Sequence, residues 1–216
     1  LAQIFNIPQN EQKPFLNFAR GNIASAPKDT VKDIPWRVPS ASTRINLPAT
    51  VTSLIGRSEE LALVHDYLSD PNIRLVTLIG PPGIGKTRLS LEAARTNTVK
   101  FTDGVFFVAL APLDDPSLIT SAVIQALGYV EAKNQELFIQ LIDRIGDKRI
   151  LLVLDNCEHL IEDIAPLASR LLLACSRLKI IATSRESLRI PGEWLYSVPT
   201  LNVPKENSPV DVASAA

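Results

Sequence analysis

Short runs of mainly apolar residues punctuate the chain at NIRLVTLIG (72–80), GVFFVAL (104–110), RILLVLD (149–155) and LKIIATS (178–184). Runs of this length, without polar alternation, belong to strands buried on both faces. Helical spacing fills the gaps between them. Ser58 is placed to cap a helix reaching about Leu68, with Glu59 and Glu60 in its first turn. KTRLSLEAAR reads as a helix, as do residues 116–127 and 135–145, each with an apolar residue every three or four positions. EHLIEDIAPLASRLLLACS predicts one long helix, with Pro166 marking a kink or break. EWLYSV (193–198) offers a fifth strand. Strand and helix alternate, which predicts an α/β fold: a parallel five-stranded sheet with helices on both faces.

Outside this block the pattern thins. Residues 1–22 suit one short amphipathic helix, with Phe15, Leu16, Phe18 and Ala19 on a face it cannot bury alone, ending at Gly21. They read as the remnant of an N-terminal helical domain. Residues 23–47, with Pro27, Pro35 and Pro39, read as an extended linker. Trp36 either pins that linker to a surface or sits loosely in it. Residues 48–204 form the expected core domain, and 205–216 the start of a linker to a further domain. The chain contains no methionine, which fits a piece of a longer protein.

Composition narrows the class further. Net charge is −1, which excludes any global electrostatic drive toward nucleic acid or membrane. The balance is uneven: six cations against three acids give residues 1–47 a net +3. Two cysteines, Cys157 and Cys175, make no disulfide framework and fit a reducing, cytoplasmic setting. No run of 18 apolar residues exists, so no membrane partner is expected.

GPPGIGKT, Gly80 to Thr87, matches the phosphate-loop pattern in full and lies between a buried strand and a helix, as that chemistry requires. Pro81 and Pro82 have no N–H to offer, but Gly83, Ile84, Gly85, Lys86 and Thr87 do. The glycines permit backbone angles that turn those donors inward, and the helix adds its positive end. In ATP, Lys86 is expected on the β- and γ-phosphates, and in ADP on the β-phosphate; Thr87 is expected on Mg²⁺, and Arg88 beside them in the first turn.

Asp155 ends its strand where the phosphate loop leaves its own. At the carboxyl edge of a parallel sheet the two converge, and a carboxylate there suits Mg²⁺. A strand intervenes in sequence; if the sheet is similar to that of ATPases with a strand added between these two, LKIIATS lies beside the phosphate loop and brings Arg185 toward the γ-phosphate. Asn156 follows Asp155 where many nucleotide hydrolases carry a second acid; an amide can orient water but takes no proton from it. Glu158 either supplies the missing base or is a first-turn helix acid. Cys157 and His159 read as a small packed residue and an ordinary polar one.

LIGRSEEL (54–61), GPPGIGKT, LLVLDNCEHL and IIATSRE together resemble the NB-ARC-type signal-transduction ATPases of the STAND class. LLVLDNCEHL and ATSRESLRIPGE resemble most the subgroup of bacterial regulators in which such an ATPase is joined to a DNA-binding or other effector domain. The resemblance covers about residues 48–204 and implies a P-loop NTPase fold. It implies that Ile55, Gly56 and Arg57 lie against the adenine, that Arg185 is the sensor arginine, and that Pro199 approaches the base. It also implies that residues 1–22 are the last helix of a helix-turn-helix domain. The expected function is an ATP/ADP switch with slow Mg²⁺-dependent hydrolysis in a signalling or transcription-regulatory protein, with ATP-dependent self-assembly and DNA contact through flanking domains. The alternative is an AAA+-type motor or DNA-loading ATPase, where Asp-Glu usually stands in place of Asp155-Asn156.

Overall fold

A computed structural model describes residues 44–49, 52–132 and 135–201. Five strands form one sheet: β1 (Leu75–Ile79), β2 (Gly104–Ala109), β3 (Ile150–Asp155), β4 (Lys179–Ser184) and β5 (Glu193–Ser197). Their order is β2-β3-β4-β1-β5, every pairing parallel. The expected neighbour relation holds: β4 lies against β1, with Ile79 opposite Ser184.

Among the described residues five α-helices cover the sheet: α1 (Ser58–Ser69), α2 (Lys86–Thr96), α3 (Ile119–Ala126), α4 (Leu137–Ile145) and α5 (Ile161–Ala174). The side chains of β3 divide between two cores, as the two-residue period of a strand dictates. Ile150, Leu152 and Leu154 pack with Val123, Leu141 and Ile164 of α3, α4 and α5. Leu151 and Val153 face the other way, onto Val64 of α1 and Leu89 and Ala93 of α2. Each such fully buried aliphatic contributes about 1.5–3 kcal/mol, so β3, buried from Ile150 to Leu154, is the strand least able to accept a polar substitution.

Several local expectations are corrected. Ser58 begins α1 but does not cap it. Arg57 occupies the cap position, with no side-chain cap hydrogen bond. The expected helix from Glu158 onward is split: Cys157–His159 form a 3-10 turn, Leu160 leaves helical geometry at φ −128°, and α5 starts at Ile161. Pro166 lies inside α5 without breaking it, on the exposed side, where the N–H it lacks would have met the carbonyl of Glu162. Residues 116–127 open as a 3-10 turn, Pro116–Leu118, before α3, because Asp115 accepts the Ser117 N–H at 2.9 Å and tightens the entry.

Part of the segment expected as linker meets the sheet. Arg44, Ile45 and Asn46 lie along the free edge of β2, Ile45 bridging Val105 in parallel. The Asn46 side chain replaces a ladder rung. Its Oδ1 accepts from Phe107 N at 2.5 Å, and its Nδ2 donates to Phe107 O at 3.1 Å and Ala126 O at 3.0 Å. The helical remnant expected at 1–22, Trp36 and the segment 205–216 lie outside the described residues.

Candidate functional site

The carboxyl ends of β1, β3 and β4 meet at one edge of the sheet, and the sequence places its most reactive residues there. After β1 the chain turns through Gly80, Pro81, Pro82, Gly83, Ile84 and Gly85 into α2. Gly83 and Gly85 hold φ of +78° and +97°, and a Cβ built on either meets nothing within 4 Å. Glycine is therefore required by backbone angle, and the space over the loop is open to a ligand. Gly85 caps α2 without any side-chain hydrogen bond, which leaves the first-turn N–H groups available to an anion. Lys86 is buried and lies folded on its own loop, donating to Gly80 O at 2.8 Å and Pro81 O at 3.1 Å.

Asp155 is the hub of the site. Its Oδ1 accepts from the hydroxyls of Thr87 and Thr183, each at 2.7 Å. Thr183 Oγ1 in turn accepts the Asn156 N–H at 2.9 Å. Asn156 can donate from that direction because its backbone is left-handed, at φ 68° and ψ 55°, a conformation asparagine tolerates better than most residues. Strands β3 and β4 and helix α2 are thus tied together through one carboxylate oxygen. Oδ2 accepts no hydrogen bond among the described residues, so the carboxylate keeps a free hard-oxygen donor beside the Thr87 hydroxyl. That donor set fits Mg²⁺, which takes one or two protein oxygens and completes its shell with water and phosphate.

Glu158 and Arg185 face each other across the same opening, Arg185 Nε donating to Glu158 Oε1 at 3.1 Å. Glu158 Oε2 is buried and has no hydrogen-bond partner among the described residues. A cavity of about 270 Å³ is lined by Gly83, Lys86, Thr87, Asn156, Glu158 and Arg185, together with Pro82, Gly85, Arg88 and Thr183. Arg88 lines it while its guanidinium donates to the Thr52 hydroxyl at 2.8 Å and to Ser53 O at 2.9 Å.

The segment expected to meet the base divides. Gly56 and Pro199 line a second cavity of about 340 Å³ with Leu63 and Tyr196. Burial, with Glu60 and Tyr67 nearby, raises the Tyr196 phenol, which stays a neutral donor. Ile55 is largely exposed. Arg57 does not line that cavity; its buried guanidinium pairs with Glu60 at 2.6 Å and donates to Ile84 O at 3.1 Å. It thereby fastens the start of α1 to the phosphate loop.

The surroundings are structural. Burial pushes the Cys157 thiol far above its ordinary range, with the charges of Asp155 and Glu158 adding to the effect, so it is no nucleophile. His159 lies on the surface, its ring nitrogen 3.1 Å from Leu113 O. Behind Arg185, Glu193 holds the β4–β5 loop by accepting from Ser187 Oγ at 2.6 Å, Leu188 N at 2.8 Å and Arg189 N at 2.9 Å. Burial alone would raise the Glu193 carboxyl, but these bonds outweigh it and hold the group below its ordinary value. Thr183 and Glu193 escaped the sequence reading. Thr183 had a signal, a hydroxyl at the end of the strand beside the phosphate loop; Glu193 had none.

An uncharacterized Mycobacterium tuberculosis protein is 40% identical over 162 residues, covering 75% of this chain and 40% of that protein. A second M. tuberculosis protein, named as an HTH-type transcriptional regulator, is 40% identical over 133 residues, covering 62% of this chain and 15% of its own length. The chain therefore spans well under half the length of these curated relatives. Among solved structures, Cdc6p from Pyrobaculum aerophilum superposes with a TM-score of 0.55 at 16% identity, covering 70% of this chain and 47% of that one, a likeness of fold. No helix among the described residues is long and apolar enough to cross a membrane. A family model described as an AAA domain matches residues 72–189, more than half of the chain, from β1 into the loop after β4, so the chain belongs to the AAA domain family of P-loop NTPases.

Proposed function

We propose that this domain is an ATP/ADP switch with slow Mg²⁺-dependent hydrolysis, within a multidomain signalling or transcription-regulatory ATPase of the STAND type. The observation that carries this reading is the Glu158–Arg185 pair at the mouth of the phosphate cavity, 3.1 Å apart on β3- and β4-borne segments. The Arg185 side chain is 60% exposed. The Glu158 side chain is 17% exposed, so the pair is open at its Arg185 end only. A γ-phosphate accepts two charge-assisted guanidinium hydrogen bonds, and so competes with the single bond that Glu158 accepts from Arg185. ADP offers no such group. One phosphate thus decides which of two partners Arg185 keeps.

In this reading Gly80 to Thr87 cradle the phosphates, with Lys86 as the fixed cation and Arg88 closing the rim. Thr87 and Asp155 hold Mg²⁺, which neutralises phosphate charge when bound. Ile55, Gly56 and Pro199 border the adenine, and Arg57 acts through its hold on Ile84. Asn156 orients water, and Glu158 takes its proton once Arg185 has left. Asn156 in place of a second acid argues for slow turnover and against a motor. The relative named as an HTH-type regulator supports a role in transcription, with DNA contact and self-assembly belonging to flanking domains.

Glu158→Gln should slow ATP turnover at least tenfold and leave ADP affinity within twofold, read by phosphate release and calorimetry. Turnover should be unaltered by added DNA. An unchanged rate in the variant, or fast DNA-stimulated hydrolysis in the native chain, would count against the switch.

A further inference from the structure

The opposite edge of the sheet carries a second, unrelated concentration of charge. Arg74 precedes β1, Lys100 precedes β2, Arg149 precedes β3, and Arg177 and Lys179 stand at the start of β4. All five line one cleft of about 410 Å³, whose floor is Leu68, Phe101 and Leu178. The strands are parallel, so this cleft lies at their amino ends, away from the phosphate loop.

None of the five cations forms an ion pair among the described residues; the four ion pairs there are Arg57–Glu60, Arg95–Glu92, Arg185–Glu158 and Arg189–Glu186. In a chain of net charge −1, such clustering is not the average of the surface. Two carboxylates stand close by without lining the cleft: Asp70 accepts from Asn72 N, and Asp103 from the backbone N–H of Arg149, both at 2.8 Å. Burial lowers the Lys179 ammonium, and Lys100 and Arg74 add to that against the attraction of Asp70.

Helix ends explain part of the cluster. Arg74 donates to Leu172 O at 2.7 Å at the carboxyl end of α5, and Lys179 to the Asp70 carbonyl after α1. Lys100 is held by the Ser69 hydroxyl and the His65 ring. The guanidinium groups of Arg149 and Arg177 are different: both residues are exposed, and neither donates a side-chain hydrogen bond among the described residues. The polar side chains of the lining are these five cations and the hydroxyls of Ser69 and Ser176. The cations are donors only. A peptide brings backbone N–H groups that need acceptors, whereas a phosphate accepts from every one of them.

We infer that this cleft binds a chain of phosphates, as carried by a polyphosphate or by the phosphodiester backbone of a nucleic acid, with Arg149 and Arg177 as its grasping residues. The three cations fixed to the fold hold the field, and the two free guanidinium groups close on the ligand. Binding here is independent of the nucleotide site.

The test uses the full chain carrying Lys86→Ala, which silences the phosphate loop, at low salt; the native chain saturated with ADP serves if that variant does not fold. The probes are inorganic tripolyphosphate, a mixed-sequence DNA oligonucleotide and polyglutamate, with Arg149→Glu/Arg177→Glu as the reporting variant and Arg149→Gln/Arg177→Gln as its milder control. At least one phosphate probe should bind, weakening tenfold or more in the Glu variant and less in the Gln variant. Binding of DNA alone assigns the cleft to a phosphodiester backbone, and of tripolyphosphate alone to a free polyphosphate. No binding of either, equal binding by the Glu variant, or polyglutamate binding as tightly as the phosphates would overturn the inference.

Discussion

Replacing Lys86 with alanine is expected to weaken ADP binding by two orders of magnitude or more. Lys86 is buried against the loop it serves, its ammonium on Gly80 O at 2.8 Å and Pro81 O at 3.1 Å. Those two carbonyls hold the side chain beside the cradle without neutralising it. Hydrogen bonds from a charged donor are worth about 1.5–3 kcal/mol each. Losing two of them to phosphate oxygens corresponds to roughly a hundredfold or more in affinity. The fold should persist, because Lys86 fills no core and the glycine angles on either side do not depend on it. Calorimetry of ADP against native and variant chains reads the effect, with circular dichroism to confirm folding; unchanged affinity would remove the phosphate loop from the account.

The second large effect concerns Asp155. Asparagine there keeps the side-chain volume and an acceptor for Thr87 and Thr183, but loses the charge that suits a divalent cation. The native chain should bind ADP more tightly with Mg²⁺ than without. Asp155→Asn should lose at least tenfold of that enhancement, with hydrolysis falling below detection. Asp155→Ala goes further, since both hydroxyls at 2.7 Å lose their shared acceptor. It should also lower the melting temperature, by roughly the few degrees that 1–3 kcal/mol produces in a domain of this size. Equal enhancement by Mg²⁺ in native and Asp155→Asn chains would mean that the ion is held elsewhere.

The frame of this site was legible from residue order alone. Buried strands announce themselves as apolar runs, and GPPGIGKT states its own chemistry, because only glycines reach the backbone angles an anion cradle demands. The adjacency of β4 to β1 is the one expected from the likeness to ATPase sheets with an added strand between those of the phosphate loop and Asp155. What escaped was tertiary. Ser58 has the right side chain for a cap, but Arg57 takes the position because its guanidinium is tied to Glu60 and to Ile84 across the loop. Glu158 reads as the head of a helix, but the left-handed Asn156 redirects the chain into a 3-10 turn there. Asn46 sits in a proline-rich stretch with no strand periodicity, yet its side chain substitutes for a ladder rung on β2. The role of Glu193 depends on backbone N–H groups that no sequence displays.

If one phosphate more or less is sensed at the Glu158–Arg185 pair, the affinities of the intact chain for ATP and for ADP, both with Mg²⁺, must respond differently to Arg185→Ala. The expected result is an ATP-to-ADP affinity ratio that changes at least tenfold when Arg185 is removed, and an ADP affinity that barely moves. An identical ratio in native and variant chains would contradict it.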